Sequence, residues 1–116
     1  MTYIEIGGQR YEAAVTGKLR DTDWNDRASK SVRLTMGFED AMATFVDGAE
    51  WSIVMVHDSY TTEGGEVVTP EPDVFDNSDY CVAGSVTDHR DGTVTVKMGK
   101  ITDAEALAEL MEVLDA

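Results

Sequence analysis

The sequence predicts an α+β domain of about six strands in a mostly antiparallel sheet with two helices. Two patterns carry that expectation. Apolar residues alternate with polar ones in several short runs bounded by glycine, and in two other stretches they recur at helical spacing, each entered from a strand through a glycine. Length sets the scale. With 42% apolar content, 116 residues make one domain, residues 1–116, that buries about two-thirds of its extended surface without metal or disulfide staples.

Thr2 to Ile6 alternates and meets Gly7-Gly8, a two-residue turn signal, after which Gln9 to Val15 alternates loosely up to Gly17. Together these read as a hairpin. Ser31 to Met36 sets Val32, Leu34 and Met36 on one face of a third strand that Gly37 ends. Phe38 to Val46 then reads as a short helix with Phe38, Ala41, Met42 and Phe45 on one stripe, Glu39 and Asp40 near the positive end of the dipole, and Gly48 as a left-handed stop. Trp51 to His57 is apolar on both parities, which predicts a central strand covered on both faces. Tyr80 to Thr87 and Thr93 to Met98 are two further strands, joined through Asp88-His89-Arg90-Asp91-Gly92 by a type I turn with Gly92 as the left-handed bulge residue. Thr102 and Glu105 form a capping box. It opens a last helix with Leu107, Leu110, Met111 and Leu114 as its core stripe and Glu105, Glu109 and Glu112 on its wet face.

Two strand-to-helix passages are alike. Ser31 to Gly37 parallels Thr93 to Gly99, each followed by Asp-Ala at Asp40-Ala41 and Asp103-Ala104, and Gly17 to Asp21 corresponds in outline to Gly84 to Asp88. One reading is a degenerate duplication, each half strand-strand-strand-helix about a pseudo-twofold, with both helices packed on one shared sheet. The other is that any strand beneath a helix needs apolar alternation and a glycine exit.

Nine Lys and Arg against 23 Asp and Glu give a formal charge of -14 at pH 7. Scattered cations in such an excess of acid offer no patch from which a nucleic acid or an anionic lipid surface could release counterions, so neither is an expected direct partner. The acidic shell favours solubility and docking onto a basic surface. The longest apolar run, Ile53 to Val56, is far too short to cross a bilayer, and no signal-peptide pattern opens the chain. A single cysteine, Cys81, fits a reducing compartment.

No catalytic, metal or cofactor constellation emerges. Asp21-Thr22-Asp23-Trp24-Asn25-Asp26 opens like a calcium loop, but Asp26 stands where the loop needs glycine and Val32 where it needs a bidentate glutamate. The plainer reading is an Asp/Asn-rich turn whose carboxylates accept local backbone bonds. Trp24 within it either lids the core or anchors an interface. His57, His89 and Cys81 are the only side chains suited to nucleophile or base work near neutral pH, and no pairing follows from their spacing. A small hydrolase or metal enzyme would need His57, His89 and a neighbouring Asp58 or Asp88 to converge. Gly7-Gly8 and Gly64-Gly65 lack the lysine and helix of a phosphate loop.

Thr61 to Asp79 carries both prolines and six acids with no convincing element. Such spans are functional or disordered. Val67-Val68 and Val74-Phe75 flank the bend Thr69 to Asp73, which would make residues 61–79 a small hairpin arm whose apolar residues need a partner. A mobile acidic loop is the competing reading.

At Trp24 to Lys30, and again from Asp76 to Cys81 and from Thr87 to Lys100, the chain resembles a family of small phage and prophage proteins of unassigned function, encoded near tail and baseplate genes. The resemblance spans nearly the whole chain and carries no catalytic residue across. It implies a virion component or an assembly accessory, located in the bacterial host cytoplasm during assembly or in the virion.

The expected function is therefore a non-enzymatic phage structural or assembly module, binding another phage structural protein or itself. Its contact residues would be Trp24 and Arg27 in one loop and Val67, Val68, Val74 and Phe75 in the arm. The alternative is an acidic mimic of DNA charge that occupies a basic host protein, with Glu105, Glu109 and Glu112 as its exposed row.

Overall fold

The computed structural model describes residues 1–115, with side chains through Met111. The chain is α+β with two helices, and its sheet is mostly antiparallel, but it has nine strands, not about six, and seven of them form one sheet. The strands are β1 (Thr2–Ile6), β2 (Gln9–Asp21), β3 (Arg27–Thr35), β4 (Trp51–Met55), β5 (Tyr60–Thr61), β6 (Val67–Val68), β7 (Asp73–Asp76), β8 (Val82–Asp88) and β9 (Thr93–Gly99). Helix α1 is Phe38–Thr44 and α2 is Asp103–Asp115. The large sheet runs β7-β4-β1-β2-β3-β9-β8, and β5 pairs with β6 apart from it.

The first hairpin forms as expected. Gly7 and Gly8 both take left-handed φ, +59° and +77°, and so close a tight primed turn with Ile6 opposite Gln9. Gly17 does not end the next strand. β2 passes through it as the spine of the sheet, pairing Gln9 to Glu12 with β1 and Ala13 to Asp21 with β3, with a bulge between Lys18 and Asp21. Nothing within 3.8 Å would oppose a side chain at Gly17, so its role is conformational ease and not a close approach. Gly92 takes the left-handed bulge position, and Arg90 beside it also has positive φ.

The sheet is curled, and the loop from β7 to β8 requires it. These strands are the two edges, yet only Asn77 to Cys81 lie between them. Six peptide steps span at most about 20 Å, whereas seven flat strands would be about 29 Å across. The concave face holds the core: Ile4, Ile6, Trp51, Val32, Leu34, Val94, Val96 and Met98, with Ala41 of α1 and its C-cap Phe45 packed into it. Of the stripe expected on α1, Phe38 and Met42 face solvent, because so short a helix buries only Ala41, with Phe45 at its C-cap. Gly48 has the left-handed φ expected of a stop, but it lies beyond the C-cap, Phe45, and donates its amide to Cys81 O.

β4 is flanked by β1 and β7 and buries residues of both parities, Trp51 and Val54, as expected of an interior strand. Met55 at its end is exposed. Trp51 Nε1 donates to Tyr80 O at 2.9 Å and Asn77 N donates to Trp51 O at 2.8 Å, which fastens the crossing loop over the concave face.

The similar segments lie side by side. Ser31 opposes Lys97 and Thr35 opposes Thr93, so β3 and β9 exchange places about an axis through the Arg33–Thr95 pair. The flanking strands follow with a different register from the one the sequence outline gives. Ala13 opposes Leu34 while Val86 opposes Val96, so Ala13, and not Leu19, occupies the place equivalent to Val86. The helices break the symmetry: α1 packs on β8 and β9, whereas every described α2 residue from Ala106 to Met111 is exposed.

Candidate functional site

The Asp/Asn-rich segment after β2 is a single 3-10 turn, Thr22–Trp24, folded over the convex face. Asp21 accepts the Asp23 amide at 3.1 Å and Asp26 donates to Asp21 O at 2.9 Å, the local backbone bonding expected of such a turn. Asp21 itself is fully buried. It accepts from Ser29 Oγ at 2.9 Å and lies 2.8 Å from Lys97 Nζ. Lys97, and after it Ser29, hold the Asp21 carboxyl below its ordinary range against the opposing effect of burial. A carboxylate so engaged is structural.

Trp24 is half-buried on this face. Its ring lies on bare backbone, since a Cβ at Gly84 or Gly99 would come within 2.8 Å of it. Arg27, whose side chain also lies against Gly99, stacks on the ring 5.2 Å from its centroid. The guanidinium then donates from Nη1 to Glu105 Oε1 at 2.6 Å, from Nη2 to Oε2 at 3.1 Å and from Nη1 to Lys100 O at 2.9 Å. Glu105 is also the partner of the capping box, accepting the Thr102 amide at 3.0 Å while its own amide donates to Thr102 Oγ1 at 3.2 Å. With Arg27 as the main cause, the Glu105 carboxyl is pushed down to about 2. Trp24 and Arg27 therefore meet, but as a lid and a clamp inside the molecule.

The clamp fixes how α2 faces. Glu105 looks to the body, and Glu109 lies near enough to Cys81 to add to the burial that pushes that thiol up. The opposite side of the helix, with Leu107, Leu110 and Met111, is 57%, 56% and 56% exposed. The expected packing of this stripe on the sheet is thus corrected: α2 is held to the body at its first turn through Glu105, and its apolar stripe is left exposed. Leu114 and Glu112 lie outside the residues whose side chains are described.

Residues 61–79 do not form one arm. β6 pairs with β5, Tyr60 opposite Val68, while β7 joins the main sheet beside β4, Val54 opposite Val74 and Ile53 opposite Phe75. Val67 and Val68 therefore belong to a separate small hairpin, and Val74 and Phe75, adjacent on a strand, point to opposite faces. Two-residue strands such as β5 and β6 are too short to show a period in the sequence. His57 bonds Asp73 at 2.7 Å beside β7, and His89 bonds Thr95 at 2.7 Å in the β8–β9 region. Among the described residues the two imidazoles thus have different partners, and burial raises the Cys81 thiol.

One concavity is missed by the sequence. Over β2 and β4 the concave face stays open as a groove of about 580 Å³, floored by Val15, Ile53, Met55 and Phe75 and walled by Asn77 and Tyr80. Lys30 lies in it with its ammonium 4.4 Å from the Tyr80 ring centroid and bonded to Asn77 Oδ1. The one available signal was Lys30 itself, a cation on the parity of Val32 and Leu34. No helix among the described residues is long and apolar enough to cross a membrane. No family model, curated protein or solved structure matches the chain.

Proposed function

We propose that the protein is a non-enzymatic interaction module of the phage or prophage structural and assembly type, acting by protein–protein contact in a tail-associated setting. The observation that carries the reading is the uncovered apolar stripe of α2. α2 is clamped through Glu105 and turns Leu107, Leu110 and Met111 to solvent, the arrangement of a helix held ready for a hydrophobic surface. The DNA-mimic alternative is weakened by the same clamp, because Glu105, first in its acidic row, is neutralised by Arg27.

The test is co-purification with the tail and baseplate proteins of the phage or prophage that encodes it, comparing the native chain with a Leu107→Glu, Leu110→Glu variant. Both positions are exposed, so circular dichroism should be unchanged while association is lost. Undiminished association of the variant would sink the reading.

A further inference from the structure

Among the described residues two apolar surfaces of one chain lack a partner: the exposed stripe of α2 and the groove on the concave face. They occupy related places. α1 leaves β3 and packs on β9 and β8, so the axis through Arg33 and Thr95 would send α2, leaving β9, onto β3 and β2, where the groove lies. The chain even reaches its rim, for Ile101 donates its amide to Asp79 O at 2.9 Å and Asp79 lines the groove. The Arg27 clamp diverts it: Arg27 holds Glu105 from the convex, Trp24 side, and the stripe then faces away from its own groove.

We propose that the groove is filled by α2 of a second copy of this chain, in a reciprocal two-fold dimer. This deepens the interaction reading above and rests on it. Area selects the arrangement. Seating Leu107, Leu110 and Met111 against Met55 and Phe75, twice about the dimer axis, hides on the order of 1,000 Å² of surface, the lower end of a stable interface. Pairing the two stripes with each other involves three described residues per copy and falls well below it. A reciprocal joint is also closed, so it stops at two copies. Glu105, bonded to Arg27, stays out of it. What opposes association is the charge of -14 on each copy, so added salt should tighten the dimer by screening.

Sedimentation equilibrium of the full chain across concentration, at low and at about 0.5 M salt, reads the stoichiometry. A dimer whose dissociation constant falls at least several-fold with salt is the expected result, and either Leu110→Glu or Phe75→Glu alone should return the monomer. Mixing Leu110→Cys with Phe75→Cys, each in a Cys81→Ser chain, should under oxidation give a crosslinked species of twice the monomer mass. A monomer at all concentrations, or a dimer indifferent to Phe75→Glu, overturns the proposal. A native chain that is monomeric at all concentrations yet binds a tail protein through α2 would overturn the second copy as occupant and leave the assembly role standing.

Discussion

Arg27 and Glu105, 78 residues apart, meet in a two-pronged ion pair that ties the first turn of α2 to the body. Arginine suits this place because its planar fork serves both carboxylate oxygens and Lys100 O at once while stacking on Trp24. The same carboxylate caps its own helix, so one residue sets both where α2 begins and how it is held.

Glu105→Gln keeps an oxygen for the Thr102 amide and removes the charge. Amide exchange in α2 should quicken while β3 and β9 stay protected; faster exchange throughout the sheet would mean that Glu105 supports the whole fold. The pH dependence follows from the sign of the shift. A folded value of about 2, below the ordinary 4.5, gives stabilisation that is full above about 4.5 and lost as pH falls through about 2. Near pH 2 the native α2 should exchange like that of the variant.

Asp21→Asn should lower the midpoint of urea unfolding clearly, because it leaves the mostly buried Lys97 without its counterion. Glu5→Gln, which breaks the exposed pair with Arg10, should change stability by no more than about 0.5 kcal/mol. The Asp21 contribution is present above the ordinary carboxylate range and is lost on acidification below it. Equal effects of the two substitutions would show that the Asp21–Lys97 pair is solvated.

Gly99→Ala places a methyl group against the Trp24 ring and the Arg27 side chain. A loss of about 1–3 kcal/mol is expected from overpacking, read by denaturant titration with tryptophan fluorescence as a second probe. Trp24→Leu in the same chain should recover part of it. A second substitution that adds its full cost would place the strain elsewhere.

Val67→Ser tests the small hairpin. The side chain is 72% exposed and the β5–β6 pair stands apart from the main sheet, so stability should move by less than about 0.5 kcal/mol in thermal unfolding. A larger drop would mean that this hairpin packs on the body.

What the sequence determined by itself was local. Gly7-Gly8, Gly92, the Thr102–Glu105 box and the Asp21 turn depend on backbone conformation and on partners within a few residues, and each formed where the residues indicated. The α+β class followed from the same periodicities. Only the tertiary structure decided which strands were edges, that β2 ran through Gly17, that β7 left the supposed arm for β4, and that the stripe of α2 faced outward. Alternation reports that one side of an element is apolar and is silent on what covers it. The covering here was settled by contacts far apart in the chain: Arg27 on Glu105, Lys97 on Asp21, and a five-residue crossing that curls the sheet into a groove.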